Sequence, residues 1–377
     1  MDFALTEEQL ELQAMVKAFV DKEVVPYTDE MDKANECRPE IFKIAGDMGL
    51  LNLIVPEEYG GPGLDSVTVA MIYEELGKGC AGVATSIAAN ALASYPVLIA
   101  GNEEQKKNWC DLLNDGKLAA FCLTEPNAGS DPGSVATKAQ KVGDKYILNG
   151  SKVFITNGGI ADTYLVYANV RKSGGIRGLT CFIVPKGTPG FSVGRKEDKM
   201  GIRPSNTCEL IFEDVEVPET ARVGKEGEGF RIAMKTLDSA RPFVASVSVG
   251  LAASALEIAA KYAKERRQFG QPIASFQMVQ SMIADMAMRV ETARLMVQKA
   301  CWMRDQGMEF SKEAAMSKCF ASDTAMEVCT NGVQVMGGYG YMKDYTMEKK
   351  MRDAKIMQIY EGTNQIQRMV IANKILY

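Results

Sequence analysis

No histidine occurs among the 377 residues, and only two tryptophans do. The missing histidine is the stronger constraint. A general base has to be Asp, Glu, Lys, Tyr or Cys, and neither a Ser-His-Asp triad nor a His-ligated metal site can be assembled. No C-x-x-C pair is found among the nine scattered cysteines, at 37, 80, 110, 122, 181, 208, 301, 319 and 329. An odd, dispersed set favours reduced thiols in a cytosol-like compartment over a disulfide framework. The sequence shows no polybasic block, and 48 acidic against 43 basic residues leave a net charge of −5. Nucleic acid and anionic membrane are therefore not expected as general partners. No apolar run reaches the roughly 20 residues that a bilayer span needs. The start Met1-Asp-Phe-Ala-Leu-Thr-Glu-Glu lacks the basic and apolar regions of a signal peptide and the Arg-rich bias of a transit peptide. Internal repeats and a G-x-G-x-x-G dinucleotide fingerprint are also missing. These absences point to a soluble, cytoplasmic protein without a metal site.

What is present is a hydrophobic fraction of 46%, enough to bury a large core, in a chain long enough for two or three domains. From Thr6 to about Ala119 the apolar residues recur at helical spacing, as in Leu10, Leu12, Met15, Val16, Phe19 and Val20. Pro56-Glu-Glu-Tyr-Gly-Gly-Pro-Gly63 interrupts them as a loop. From Phe121 to about Val223 short β-branched and aromatic runs appear between turn residues: Tyr146-Ile-Leu, Val153-Phe-Ile, Tyr164-Leu-Val-Tyr, Leu179 to Val184 and Glu209-Leu-Ile-Phe. That texture predicts a small antiparallel sandwich or barrel. Helical periodicity returns from Glu226 to Tyr377, with Phe276, Val279, Ile283, Met286, Val290 and Ala293 on one stripe. The expected domains are 1–120 helical, 121–225 β, and 226–377 a helical bundle. The 22 methionines read as adaptable core filler.

Five segments carry chemistry. In Arg352-Asp-Ala-Lys-Ile-Met-Gln-Ile-Tyr-Glu361-Gly-Thr-Asn-Gln365-Ile-Gln-Arg368 a carboxylate precedes Gly and Thr, an arrangement that can end a helix and project one proton acceptor into a cleft. Phe121-Cys-Leu-Thr124-Glu-Pro-Asn-Ala-Gly129-Ser130-Asp131 reads as a strand end and a loop of small residues that is either a simple turn or a cradle for an anion or heteroaromatic ring. Asn149-Gly-Ser-Lys-Val-Phe154-Ile-Thr156-Asn-Gly-Gly is a strand whose Phe154 is either buried or a stacking surface. Lys264-Glu-Arg266-Arg-Gln268-Phe269-Gly is a helix ending in a basic turn, either solvated or suited to bidentate phosphate contact. Asp238-Ser-Ala-Arg241-Pro is either a helix-surface ion pair or a binding element.

Taken together and in this order, the segments resemble the acyl-CoA dehydrogenases over essentially the whole chain, from about Phe3 to Leu376. The resemblance is to short- and medium-chain, bacterial butyryl-CoA dehydrogenase-like members. It implies a mainly α protein with a central β domain: an N-terminal helical domain, a middle antiparallel β-sandwich or barrel, and a C-terminal four-helix bundle. Glu361 is then the catalytic base. The implied FAD contacts are Phe121, Leu123, Thr124, Gly129, Ser130, Phe154, Ile155, Thr156, Thr363 and Gln365. Arg266, Gln268, Phe269, Gln277, Gln334, Gly337 and Gly338 would reach the FAD of a neighbouring subunit. Ser130, Asp238, Arg241, Glu361 and Gly362 would hold the acyl-CoA. Phe154 stands where many relatives carry Trp. Ala88 replaces a Glu found near the bottom of the acyl pocket in medium-chain members, which leaves room for a longer or aryl-terminated acyl group unless neighbouring side chains fill the space.

The resemblance implies that Glu361 removes the α-proton of an acyl thioester while hydride leaves the β-carbon for flavin N5, giving a trans-2-enoyl-CoA. The Glu361 backbone N–H and a ribityl hydroxyl of FAD would form an oxyanion hole. Burial beside the acyl chain and flavin should raise the base's pKa. The implied partners are an electron-transferring flavoprotein and further copies of the chain, at least a dimer and in the family a homotetramer built from two dimers. The same site working as an enoyl-CoA reductase is the alternative. More remote are an oxidase and a flavin-bearing DNA-protective or regulatory relative, the latter expected to show a basic surface and a C-terminal extension.

Overall fold

The computed structural model describes residues 4–171 and 174–377. Six helices come first: α1 (Glu7–Phe19), α2 (Thr28–Ala34), α3 (Pro39–Asp47), α4 (Ser66–Gly79), α5 (Ala81–Ala100) and α6 (Glu103–Asn114). Their starts are chemically marked. Thr6 and Asn102 form capping boxes with Gln9 and Gln105, and the Asp65 carboxylate accepts from the Thr68 N–H at 2.7 Å.

The middle segment supplies β1 (Ala119–Cys122), β2 (Lys138–Val142), β3 (Lys145–Thr156), β4 (Thr163–Asn169), β5 (Leu179–Pro185), β6 (Phe191–Lys196), β7 (Thr207–Pro218) and β8 (Arg222–Val223). They form one sheet in the order β6-β7-β3-β2-β4-β5-β8, with β1 also paired to β4. The sheet is not wholly antiparallel as the sequence suggested. β1 runs parallel to β4, and β2 touches β4 through one parallel pair, Lys138 with Asn169. Around that weak seam the two halves fold together over a shared core of Tyr146, Leu148, Tyr164, Val166, Phe182 and Phe212. All seven residues of β4 are buried, so it reads as a continuous apolar run rather than an alternating one.

The C-terminal segment holds α7 (Gly229–Glu265), a short hairpin of β9 (Arg267–Gln268) and β10 (Gln271–Pro272), then α8 (Gln277–Asp305), α9 (Ser311–Met336), α10 (Met347–Met357) and α11 (Asn364–Leu376). The hairpin departs from the expected plain turn. Phe269 and Gly270 both take positive φ, 51° and 81°, which is the geometry a tight two-residue turn requires. α7, α8 and α9 pack against one another, and α7 also packs on α4 and α5. Residues of the first and last segments therefore share a single hydrophobic cluster running from Val16 to Met357.

α5 and α7 correct one expectation, because both are long and apolar enough to cross a membrane by length and composition. Their apolar windows are 78% and 72% buried against the rest of the chain. Each is a core helix whose apolar stretch is packed against the rest of the chain, while exposed charges such as Arg231, Glu257 and Lys261 mark the ends of α7.

α4 and α7 approach so closely that glycine is required where they cross. A Cβ on Gly250 would lie 2.0 Å from the Glu74 carbonyl oxygen, and one on Gly77 would lie 2.6 Å from the Val247 carbonyl oxygen. Gly250→Ala is expected to cost about 1–3 kcal/mol or more by forcing the helices apart. Urea denaturation of the variant against wild type measures it.

Candidate active site

The site is built where all three segments meet. α5 lays Thr85, Ala88, Ala89 and Leu92 along one wall. On another side of α5 the buried Asn90 fixes β1: its Oδ1 accepts from the Ala119 N–H at 2.8 Å, and its amide donates to the carbonyls of Leu51 and Lys117. β1 then leads into Leu123 and Thr124, which with Gly129 and Ser130 form the second wall.

That loop is held by a buried ion pair. Lys152 on β3 donates to Glu125 at 2.7 Å and to the Leu123 carbonyl at 3.1 Å. Glu125 also accepts the backbone N–H groups of Ala136 and Thr137. Both side chains are almost fully buried. Burial favours the neutral carboxyl, but Lys152 and these N–H donors outweigh it and hold the Glu125 pKa below its ordinary value. Burial pulls the Lys152 ammonium down, with Glu125 opposing. Two residues beyond Lys152 the β3–β7 register slips, and Phe154 takes φ 59° with 64% of its surface exposed at the cavity. A bulky side chain pays strain to sit there.

Glu361 completes the cavity from the turn between α10 and α11. Its own φ is 54°, and Gly362 follows at 92°. No hydrogen-bond acceptor for its backbone N–H is found among the described residues. Its Oε2 is buried without a partner. Desolvation pushes the carboxyl up to about 7, with Lys318 and Arg241 pulling the other way. The turn is fastened from below. The buried Lys318 ammonium donates to the Gly362 carbonyl at 2.8 Å, and the buried Gln367 side chain donates to the carbonyls of Glu361 and Gly362. The Tyr360 hydroxyl, raised by burial, lies 3.4 Å from Thr85 Oγ1 and donates to Met357 Sδ.

The resulting cavity of about 340 Å³ is lined mostly by apolar side chains. It gathers Phe121, Leu123, Thr124, Gly129, Ser130, Phe154, Ile155, Thr156, Arg241, Glu361 and Gly362. Arg241 corrects the surface-ion-pair alternative: it is 4% exposed and bonded to Asp238 at 2.5 Å. Asp238 itself does not line the cavity. A separate groove of about 420 Å³ brings together Arg266, Gln268, Gly337 and Gly338 with Tyr262 and Tyr339. Thr363 caps α11, while Phe269, Gln277, Gln334 and Gln365 are exposed and line neither space. Sequence reasoning missed Lys318, Tyr360, Thr85 and Gln367. A signal for Lys318 existed: it is the lone charge among Ala314, Ala315, Cys319, Ala321 and Ala325 on the buried face of α9.

Three family descriptions tile the chain: the acyl-CoA dehydrogenase N-terminal domain over residues 6–117, the middle domain over 120–215 and the C-terminal domain over 227–376. The chain belongs to the acyl-CoA dehydrogenase family. Among solved acyl-CoA dehydrogenase folds it superposes on butyryl-CoA dehydrogenase from Megasphaera elsdenii with a TM-score of 0.98 and 45% identity, each chain fully covered. It superposes equally completely, at TM-score 0.97 and 49% identity, on a chain from the structural work on the electron transferring flavoprotein of Acidaminococcus fermentans and flavin-based electron bifurcation. A curated relative, acryloyl-CoA reductase (NADH) of Anaerotignum propionicum, is 43% identical over 379 residues, covering all of this chain and 96% of that protein.

Two outcomes test the site's physics. Lys152→Met should destabilise the protein by about 3–5 kcal/mol in urea unfolding, because it leaves the Glu125 carboxylate buried and uncompensated. A raised folded-state pKa at Glu361 means that its carboxyl contributes stability fully below about pH 4.5 and loses it as pH rises through about 7. Glu361→Gln, neutral at every pH, is therefore expected to melt like wild type near pH 4.5 and above it at pH 8. The difference should grow by at most about 1.4 kcal/mol per pH unit across that window.

Proposed function

We propose that the protein is an FAD-dependent acyl-CoA dehydrogenase acting on a short- or medium-chain acyl-CoA, aryl-terminated ones included, with Glu361 as the base. The observation that carries this reading is a carboxylate without a hydrogen-bond partner at its buried oxygen, raised to about 7, in the wall of an apolar cavity. A carboxylate so placed can take a proton from carbon, because its buried oxygen has no donor and no direct salt bridge to stabilise the ionised form.

The residues present fit FAD. The exposed Phe154 ring at the cavity offers a stacking face, and a Cβ on Gly129 would meet nothing within 4 Å, so the Thr124–Ser130 loop leaves open space beside it. In the second groove Gly337 and Gly338 are equally open, and Arg266 sits over the Tyr339 ring at 5.4 Å with its guanidinium available to phosphate. Phe121, Leu123, Thr124, Phe154, Ile155 and Thr156 would hold the ring system. Arg266, Gln268, Phe269, Gln277, Gln334, Gly337 and Gly338 would hold the phosphates and adenosine of the FAD in a neighbouring subunit, so at least a dimer is required. Bound FAD supplies the hydride acceptor that no protein side chain can provide.

The protein's own part is positioning and proton transfer. Ser130, Arg241 and Gly362 orient the thioester and its CoA arm, with Asp238 contributing to substrate binding by holding Arg241. The Glu361 N–H, without an acceptor among the described residues, would bond the thioester oxygen as charge develops there. Oε2 of Glu361 receives the α-proton. Thr85, Ala88, Ala89, Leu92, Leu237 and Val244 exclude water and accommodate the acyl end, with Ala88 leaving space that a glutamate would fill. Electrons pass to or from an electron-transferring flavoprotein, as the match to the Acidaminococcus fermentans structure suggests. The relative named as an acryloyl-CoA reductase supports the second reading, in which the same site adds hydrogen to an enoyl-CoA. Nine buried, unpaired cysteines suit a reducing cytoplasm.

Anaerobic titration of the FAD-loaded protein with saturated acyl-CoAs should bleach the flavin, and kcat/KM should fall as pH drops below about 7. Glu361→Gln should lower the rate by about 10²–10⁴-fold. Bleaching at the wild-type rate in that variant overturns the assignment.

A further inference from the structure

Around Glu361 the charged groups sort themselves by commitment. From α7, Arg241 is engaged by Asp238 at 2.5 Å. From α9, Asp323 accepts from Arg368 and Gln358, both at 2.7 Å, and from the Asn364 amide. Lys318, also on α9, is different. Its side chain is buried and it forms no salt bridge among the described residues. Its ammonium donates to the Gly362 carbonyl at 2.8 Å and to Asn364 Oδ1 at 3.0 Å, one residue on either side of Thr363. Asn364 is locked in turn by Ser322 and by the Cys319 carbonyl. One buried cation thus grips the turn that holds Glu361 at positive φ, and its charge is not spent on a carboxylate of its own.

Building on the functional reading above, we propose that Lys318 is a positioning residue for the base: it fixes the Glu361–Thr363 turn through the Gly362 carbonyl and supplies the charge that keeps Glu361 ionisable in an apolar cavity. A buried carboxylate with no nearby cation drifts toward permanent protonation, and an uncommitted ammonium within the same packed cluster opposes that drift. The electrostatics agree in both directions. Lys318 is the largest influence pulling Glu361 down against desolvation, and Glu361 is the largest influence supporting a Lys318 ammonium that burial lowers to about 8. Each group thus supports the charged form of the other against burial. Cys319, Arg241 and Asp323 also act on Lys318, the cysteine and the aspartate favouring its charge and Arg241 opposing it.

Three substitutions separate charge from hydrogen bonding. Lys318→Gln keeps a donor but removes the charge, Lys318→Met removes both, and Lys318→Arg keeps the charge. The primary readout is the titration of the Glu361 carboxyl in resting protein, by infrared difference spectroscopy with the band assigned through its loss in Glu361→Gln. The midpoint is expected to rise by about one pH unit in K318Q and K318M and to stay within a few tenths in K318R. The rate of flavin bleaching should then fall about tenfold at pH 6 and little at pH 9, where wild-type Lys318 has also lost its charge. Equal midpoints in wild type and K318Q, or a K318R midpoint displaced like that of K318M, overturn the proposal. Should the uncharged variants fail to fold, the K318R midpoint alone decides. Because the infrared titration needs neither substrate nor turnover, it stands even if acyl-CoA fails to bleach the flavin, an outcome that would count against the functional reading instead.

Discussion

The role proposed for Glu361, removing a proton from carbon, requires a carboxylate held largely apart from water without being neutralised, and that requirement makes sense of its surroundings. Desolvation alone would leave the group protonated, whereas a direct salt bridge would leave it too weak. The structure takes neither course. It buries one carboxylate oxygen without a partner and sets two cations, Lys318 and Arg241, close enough to act through their field but bonded elsewhere.

The surrounding architecture follows from supporting that arrangement. The turn bearing Glu361 has a backbone conformation that residues with a Cβ avoid, so it persists only because Lys318, Gln367 and the Thr363 cap satisfy its carbonyls and the start of α11. α10, which delivers the turn, is anchored to the β segment by Asp353: one of its oxygens accepts from Lys349 and the other from the Ile202 N–H. The facing wall depends on a second buried pair, Lys152 with Glu125, which ties the loop after β1 to β3 and leaves Phe154 presented at the register slip. The α4–α7 contact, close enough to demand glycine, holds the helical segments in one core so that α5 and α7 can serve as walls of the same cavity.

Much of this was legible in the sequence, and the exceptions have physical causes. The structure brings Glu361, Phe154, Leu123 and Ser130 to one cavity, and each could be singled out beforehand because its segment is local: the candidate residue and the turn chemistry that presents it are neighbours in the chain. Arg241 was found as a residue but not as a buried one, since helical spacing alone does not tell which face is covered. Lys318 lies 43 positions before Glu361. Its place as a lone charge on the small-residue face of α9 could be read from the sequence, but its contact with the turn became visible only when α9 was packed against it. The parallel pairing of β1 with β4 was hidden for the same reason, because strand texture carries no information about strand direction. α5 and α7 misled in the opposite way. Their apolar content is that of a membrane span, and tertiary burial on all sides accounts for it.

The most direct test of the central claim isolates proton removal from hydride transfer. An acyl-CoA with no β-hydrogen, such as the 3,3-dimethylbutyryl thioester, is incubated with FAD-loaded protein in D2O and its α-carbon is followed by mass spectrometry. Deuterium should enter the α-position with the wild-type protein and not with Glu361→Gln. Exchange that persists in the variant, or its absence in wild type, would contradict the account.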